Sequence, residues 1–161
     1  MKEIFDREKH ISTEEIRNTN LIDTCFFIYA LTHPKELDDL KHLKTIATTS
    51  FNVEEILNLK HEIKAGLRHI LKRFVKEVDL NIVDIDVKPG EREKEREFVE
   101  NIDKNLLEHV HDPSDAILVA VGIKTHSNVY TRDKKHLFNP ELENYLRKYD
   151  IKILNIIKIK K

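Results

Sequence analysis

Cysteine, glycine and tryptophan are scarce in this sequence, and the scarcity of cysteine excludes two classes of protein. Among the 161 residues there are one cysteine, three glycines, four prolines and no tryptophan. The single Cys25 excludes an internal disulfide framework and any zinc site built from cysteines. Because Cys25 lies in the apolar segment 25–31, we interpret it as a buried structural thiol.

Long apolar runs are also lacking. No run in the sequence approaches the roughly 20 apolar residues that a helix needs to cross a bilayer. The first seven residues are largely charged and lack the apolar core of a signal peptide. We therefore expect a cytoplasmic protein.

An excess of positive charge is absent as well. Lysine and arginine number 28 against 29 aspartates and glutamates, which gives a formal net charge of −1. This balance excludes a protein that binds nucleic acid through an overall basic charge. It leaves room for a small basic patch beside a site, because a local field is enough to hold a substrate briefly.

The segments that are present alternate between strand-like and helical patterns. Such alternation predicts an α/β fold, a three-layer α/β/α sandwich with a central, mainly parallel sheet of four to five strands. The length fits one domain with a core of its own. The apolar and β-branched runs predict strands near residues 20–23, 45–49, 80–87, 128–133 and 151–159.

Helical periodicity and capping residues predict the helices between those strands. The first 18 residues are polar, and Ser12-Thr13-Glu14-Glu15 is typical of a helix start, so we predict an N-terminal helical arm over 1–18 before a domain over 19–161. The charged helix near 91–109 is interpreted as a solvated face with Glu–Lys pairs or as a partner surface. The other predicted helices cover residues 24–32, 35–43, 53–75 with a break near Gly66, 112–121 and 140–145.

Four acidic residues are placed where such a sheet would present them at one edge. Asp23 and Asp133 end strands, Glu55 lies early in the helix that follows a strand, and Asp115 opens an apolar helix. Strand ends and helix starts at one edge are where open α/β folds bind ligands. Carboxylates gathered there repel each other unless a cation lies between them, and hard divalent cations prefer oxygen ligands. The pattern therefore predicts a site for Mg²⁺ or Mn²⁺. Glu54 is a rival for Glu55, but helical phasing favours Glu55.

The segments around these acids resemble those of a known family. Leu21-Ile22-Asp23-Thr24 has the form of a strand that ends in Asp followed by Thr, and Glu55-Ile56-Leu57 follows a strand rich in Thr and Ser. Asp115-Ala116-Ile117-Leu118-Val119-Ala120 opens a helix, and Thr131-Arg132-Asp133 follows a strand. In this order the four segments resemble the PIN-domain ribonucleases, which include the VapC-type toxins of toxin–antitoxin pairs. Val121 and Gly122 stand where that family often has Thr and Ala.

The resemblance implies a PIN-like fold and a metal-dependent endoribonuclease. It implies that Asp23, Glu55, Asp115 and Asp133 bind one or two Mg²⁺ or Mn²⁺ ions, and that RNA is the substrate. It also suggests a homodimer, with an antitoxin protein as partner if the chain is a toxin. Thr24 and Thr131 would orient carboxylates of the site. Asp112 would be a helix N-cap or a fifth acid. The basic residues Arg132, Lys134 and Lys135 would contact phosphates of the substrate or belong to a solvated loop.

Three other interpretations remain open on the residues. A PIN-like scaffold without catalysis would bind only RNA or a protein partner, although intact acids at all four positions argue against it. His109-x-His111 has metal-ligand chemistry suited to zinc or nickel. Asp84-x-Asp86 is similar to the motif of phosphotransferases with an aspartyl nucleophile, but Lys88 stands where that motif needs Thr.

Overall fold

A parallel sheet lies at the centre of the molecule. The computed structural model describes residues 1–155 and residue 157. Within them six strands pair in parallel, in the spatial order β1-β4-β3-β2-β5-β6. The strands are β1 (Lys9–Ile11), β2 (Asn20–Ile22), β3 (Ile46–Thr49), β4 (Leu80–Val83), β5 (Asn128–Tyr130) and β6 (Ile153–Leu154).

Helices cover both faces of this sheet. Leu21 and Ile22 are successive residues of β2 and point to opposite faces, yet both are fully buried. Leu21 belongs to an apolar cluster with Leu118, and Ile22 to one with Phe26. The described helices are α1 (Lys2–Phe5), α2 (Thr24–Leu31), α3 (Pro34–Lys41), α4 (Ser50–Asn58), α5 (Ala65–Glu77), α6 (Arg92–Ile102), α7 (Leu106–His109), α8 (Pro113–Thr125) and α9 (Pro140–Leu146), followed by a 3-10 turn (Arg147–Tyr149). The predicted α/β sandwich is confirmed.

Side-chain caps mark the starts of three helices that surround the central strands. Asp23 caps α2 by accepting a hydrogen bond from the Thr24 N–H at 2.8 Å. Thr49 caps α4 by accepting from the Asn52 N–H at 3.1 Å. Asp112 caps α8 and is followed by a proline at the first helical position, as the sequence predicts. These caps set where each helix leaves the sheet, and therefore where its first polar side chains point.

Gly122 lets α8 approach β5 closely. A Cβ atom at this position would lie 3.0 Å from the Ser127 carbonyl oxygen and 3.0 Å from Val129 Cγ2. Contacts this short are tighter than nine in ten Cβ contacts in proteins, so a larger residue would require its neighbours to shift by a few tenths of an ångström. The glycine thus helps to keep α8, with Asp115 in its first turn, close to the centre of the sheet.

The predicted N-terminal helical arm is helical only in α1 (Lys2–Phe5), and the helix start predicted at residues 12–15 is wrong. Residues 12–15 form a turn in which Ser12 N–H donates to Glu15 Oε2 at 2.7 Å. Before it, β1 pairs with β4, with His10 opposite Ile82. Ile11 is buried beside the central strands, so the segment adds a sixth strand to a sheet predicted to have four to five. The backbone of β4 thereby gains a partner that local sequence pattern does not reveal.

Two long predicted helices are each divided. The first is interrupted at 59–64, and Gly66 lies in the first turn of α5 rather than at the break. The second is interrupted between α6 and α7, where the nearly buried Asp103 accepts hydrogen bonds from Asn105 N–H at 2.9 Å and Tyr145 Oη at 2.6 Å. A carboxylate that binds these partners pulls the backbone out of helical geometry.

The predicted strands are confirmed in position but are shorter than expected. The one predicted over 80–87 ends at Val83, and the one over 128–133 ends at Tyr130. The last, predicted over 151–159, is observed at Ile153–Leu154, while residues 156 and 158–161 lie outside the described residues. Among the described helices, none combines the length and the apolar character needed to span a bilayer.

Candidate metal centre

Four predicted acids lie at the carboxyl edge of the sheet. Asp23 directly follows β2, and its backbone N–H donates to the Tyr130 carbonyl of the neighbouring β5 at 2.9 Å. Glu55 lies in α4, which follows β3. That strand pairs with β2 on the side opposite to β5. Asp115 is in the first turn of α8, and Asp133 follows β5 by three residues. Parallel strands bring these four positions to one edge, as the sequence predicts.

Asp23 and Glu55 share a network of hydroxyl and amide donors. The Thr24 hydroxyl donates to Glu55 Oε2 at 2.6 Å. The buried Asn52 amide lies between the two acids, with Nδ2 at 3.1 Å from Glu55 Oε2 and 3.2 Å from Asp23 Oδ1. Thr49 Oγ1 donates to Asn52 Oδ1 at 2.6 Å, which orients the amide with its NH₂ group toward the carboxylates. Glu55, rather than its rival Glu54, makes these contacts.

The second oxygen of Asp23, Oδ2, also has hydrogen-bond donors beside it. Thr131 Oγ1 donates to Asp23 Oδ2 at 2.7 Å, and the Cys25 thiol lies 3.0 Å from the same oxygen. Thr131 Oγ1 in turn accepts from the Asp133 N–H at 3.0 Å. Thr24 and Thr131 thus each contact an acid of the site, in keeping with the orienting roles suggested for them.

Cys25 is more than a core thiol. It is half-buried, and its sulfur lies beside Asp23, Thr131 Oγ1 at 3.2 Å and the Arg132 N–H at 3.2 Å. Burial, followed by the neighbouring Asp23 carboxylate, raises the pKa of the Cys25 thiol to about 12. The sulfur therefore stays protonated and acts as a donor to the carboxylate, which excludes a thiolate nucleophile at neutral pH.

A second group of possible metal ligands lies on the side of the site that is formed by α8 and the loop after β5. One ligand atom each from Asp115, Asp133 and His136 lies within 4.8 Å of the others. His136 Nδ1 is 3.3 Å from Asp115 Oδ2 and 3.1 Å from Asp133 Oδ2. Asp133 Oδ1 accepts from the Lys135 and His136 N–H groups, both at 3.2 Å. Among the described residues, the Asp115 carboxylate accepts no hydrogen bond, and the His136 imidazole is the one basic group within 4 Å of it.

The pKa shifts of the carboxyl groups show that the two sides of the site interact. Burial raises the pKa of Glu55 to about 7, and the charges of Asp23 and Asp115 add to the rise against the hydrogen bonds from Thr24 and Asn52. Burial, followed by the charges of Asp133 and Asp112, raises the pKa of Asp115 to about 6, and Asp23 contributes. These carboxylates are therefore close enough to oppose each other's ionisation. Raised carboxyl pKa values in one cluster are characteristic of functional sites.

The remaining predicted residues lie around this core. Asp112 is an N-cap and accepts from Arg92 Nη1 at 3.0 Å; burial would raise its pKa, but these contacts lower it. The Arg132 guanidinium lies 4.1 Å from the Tyr29 ring centroid and donates to the Asn155 carbonyl at 3.2 Å, so it is already engaged. Lys134 and Lys135 are exposed beside Asp133.

Sequence reasoning missed Asn52 and His136. Asn52 lies three residues after a Thr N-cap, a spacing that brings a polar side chain back to the helix start, and this was the available signal. His136 lies three residues after Asp133, in a loop whose course only the tertiary structure decides.

Neither of the two rival motifs, His109-x-His111 and Asp84-x-Asp86, lies in a comparable cluster of described residues. The ring of His109 packs at 4.1 Å on the ring of Tyr145, and His111 is exposed. The part of the chain that the structure describes contains no cluster of three metal-ligand atoms that includes either histidine. Asp84 is exposed and pairs at 2.8 Å with His10 of β1, the outermost strand of the sheet.

Comparison with known proteins supports the fold. The chain is similar to one in VapBC2 from Rickettsia felis bound to a DNA fragment from its promoter, with a TM-score of 0.52 and 16% identity over 84% of this chain and 96% of that one. It is also similar to a chain in DNA-bound VapBC from Salmonella typhimurium, with a TM-score of 0.51 and 14% identity over 74% and 90% of the two chains. No protein-family model and no curated protein matches the sequence. The resemblance to VapC-like PIN proteins is confirmed at the level of the fold.

Proposed function

We propose that this chain is a metal-dependent endoribonuclease that hydrolyses RNA phosphodiester bonds at the carboxyl edge of its sheet. The observation that carries the proposal is the convergence there of Asp23, Glu55, Asp115 and Asp133, two of them with raised pKa values. The PIN-like fold supports it by analogy, because VapC-type PIN proteins are ribonucleases.

The donor set fits a hard divalent cation. Carboxylate oxygens are the ligands that Mg²⁺ and Mn²⁺ prefer. The carboxylates of Asp115 and Asp133 come together around His136, the one basic side chain found in contact with both among the described residues. A metal ion would satisfy the same charge more fully. We assign Asp23, Glu55, Asp115 and Asp133 as the residues that hold one or two such ions.

Each part of the site has a task in this mechanism. When bound, the ion would activate water for attack on the phosphodiester and neutralise charge that builds on the phosphate and leaving oxygen. Thr24, Thr131 and Asn52 keep the carboxylates of Asp23 and Glu55 in fixed orientations by donating to them. Glu55, with a pKa of about 7, would have to lose its proton to serve as a ligand. Lys134 and Lys135 contact backbone phosphates of the RNA.

The proposal extends to partners and to location. Because the similar chains were crystallised within VapBC assemblies, we infer that this chain pairs with an antitoxin protein that controls its activity. We further infer a homodimer that acts in the cytoplasm. Co-purification of the chain with the product of a small neighbouring reading frame tests the antitoxin partner, and light scattering of the isolated chain tests the homodimer.

The deciding experiment is cleavage of a labelled RNA pool by the purified protein in Mn²⁺. The controls are EDTA and Asp115→Asn, which removes one ligand, with Glu54→Gln as the matched variant. Glu54 lies beside Glu55 on α4, so its replacement removes one charge nearby without touching the site. Cleavage that requires Mn²⁺, disappears in Asp115→Asn and persists in Glu54→Gln is the expected result.

Other outcomes separate the alternatives. Cleavage by Asp115→Asn at the wild-type rate would overturn the site assignment. If the wild-type protein neither cleaves RNA nor binds Mn²⁺ in calorimetry, the chain is instead a PIN-like scaffold that binds RNA or a protein partner. Binding of Mn²⁺ without cleavage would leave the metal site in place and overturn the choice of the RNA pool as substrate.

A further inference from the structure

A fully buried carboxylate lies behind the first turn of α8. Glu95, on α6, has a side chain that is 0% exposed, although the sequence suggests a solvated helix. Its Oε1 accepts from the Gly90 N–H at 2.9 Å. Its Oε2 accepts from the Ser114 hydroxyl at 2.8 Å and from Arg92 Nη1 at 3.3 Å. A carboxylate is retained in an interior only where such partners offset its lost hydration.

Arg92 joins this carboxylate to the helix cap. The same Nη1 atom lies 3.0 Å from Asp112 Oδ1 and 3.0 Å from Ser114 Oγ. Asp112 Oδ1 also accepts from the Ser114 N–H at 2.9 Å, which is the cap of α8. Glu95, Arg92, Asp112 and Ser114 therefore form a closed set of contacts around the residue that directly precedes Asp115.

The direction of the Asp115 side chain depends on this turn. The Asp115 side chain is 30% exposed, and among the described residues the His136 imidazole is the one basic group within 4 Å of it. Its position is consequently set by the backbone of the helix start rather than by contacts of its own. Asp23, by contrast, is oriented directly by four donors.

We propose that Glu95 is a positioning residue that, through Arg92 and Ser114, fixes the first turn of α8 and thereby the Asp115 carboxylate. The inference rests on the proposed function in one respect, since the purpose of the fixed carboxylate is to bind a metal ion. The alternative is that Glu95 only supports the packing of α6 on α8, in which case any equally destabilising change on α6 would act in the same way.

The test combines two measurements on the full chain. One is Mn²⁺ affinity by calorimetry, and the other is amide hydrogen exchange of residues 116–118 in the metal-free protein. The variants are Glu95→Ala and the milder Ser114→Ala, which removes one hydroxyl and leaves the backbone cap in place. The matched control is Val99→Ala, because Val99 is equally buried one turn further along the same face of α6.

We expect Glu95→Ala to weaken Mn²⁺ binding by about tenfold, the size typical of residues that orient metal ligands, and Ser114→Ala to weaken it by roughly threefold. Both should speed exchange at residues 116–118. Glu95→Gln keeps the shape and an acceptor for Gly90, so it should recover part of the affinity. Val99→Ala should lower the unfolding midpoint while changing neither measurement.

The outcomes distinguish this inference from the proposed function. Unchanged exchange and unchanged Mn²⁺ affinity in both variants would overturn it, as would losses in Val99→Ala equal to those in Glu95→Ala. If Glu95→Ala does not fold, Ser114→Ala decides. A wild-type protein that binds no Mn²⁺ would overturn the proposed metal site, whereas faster exchange confined to residues 116–118 would still support the positioning role of Glu95.

Discussion

The two sides of the acidic site are built differently. On one side, the oxygens of Asp23 accept from Thr24, Asn52, Cys25 and Thr131, and the Thr24 hydroxyl also reaches Glu55. On the other side, Asp115 meets only His136 among the described residues, and Asp133 is held mainly by backbone N–H groups of its own loop. The first side is preorganised by hydrogen-bond donors of the protein, whereas the second has few such donors and is where the proposed cation would offset most charge. Charge repulsion is therefore concentrated where fewest donors offset it.

The largest effect should come from removing the Asp115 carboxylate, on the side that has fewer hydrogen-bond donors. Asp115→Asn should lower the rate of RNA cleavage in Mn²⁺ by more than about 100-fold, since loss of a ligand should exceed the effect of losing a residue that only orients one. The metal-free protein should be as stable as the wild type or slightly more stable, because one repelling charge is gone. Single-turnover cleavage and thermal unfolding in EDTA measure the two effects. A variant that is inactive because it has unfolded would contradict this prediction.

Alanine substitutions at the two sides should lower the free energy of unfolding by different amounts. Asp23→Ala removes the cap of α2, takes one of its acceptors from the Asn52 amide and leaves the Thr131 hydroxyl without its carboxylate acceptor, which should lower the free energy of unfolding by roughly 1–3 kcal/mol. Asp115→Ala should cost less than about 1 kcal/mol, because it removes a favourable helix-dipole contact and an unfavourable repulsion together. Urea denaturation in EDTA compares them. Equal losses would show that the two sides do not differ in preorganisation.

The metal-free protein should lose stability as the pH rises. Glu55 and Asp115 have folded-state pKa values of about 7 and about 6, above the ordinary values of 4.5 and 3.8. Between these values the folded state binds more protons than the unfolded state, so the stabilisation is complete below pH 4 and is lost as the pH rises through 6 and 7.

Unfolding midpoints in EDTA from pH 4 to pH 8 would measure this slope. Glu55→Gln should flatten it near pH 7 and Asp115→Asn near pH 6. The matched Glu54→Gln should leave it as in the wild type, and saturating Mn²⁺ should reverse the loss, because the ion binds the ionised carboxylates. A stability that rises over this interval in EDTA would refute the assigned pKa shifts.

The smallest effect should come from the exposed lysines beside Asp133. Replacing Lys134 and Lys135 together by Gln should raise KM for RNA by about 3–10-fold with little change in kcat, and should reduce the salt dependence of KM. The control pair is Lys9→Gln with Lys44→Gln, since these exposed lysines lie at the start of β1 and before β3, at the opposite edge of the sheet. Equal effects of the two pairs would indicate a general charge effect instead of a local contact.

The sequence predicted the parts of the fold whose signals are local. Strands at 20–22, 46–49, 80–83 and 128–130 follow from β-branched and apolar runs, and the start of α8 follows from Asp112-Pro113. The position of β1 was not predictable, because its pairing with β4 joins residues about seventy positions apart. The break between α6 and α7 was also missed, since Asp103 is turned inward by tyrosines from α9 and the turn after it.

The sequence by itself determined which acids reach the carboxyl edge, because strand and helix periodicity place Asp23 and Asp133 after parallel strands, Asp115 at a helix start and Glu55 in the helix after a strand. Only the tertiary structure decided what surrounds each acid. Asn52 and Thr131 meet at Asp23, His136 meets Asp115, and Glu95 is buried behind Ser114 through contacts between elements distant in the chain. Such contacts depend on how helices pack on the sheet, and so does the desolvation that raises the pKa of Glu55 and Asp115.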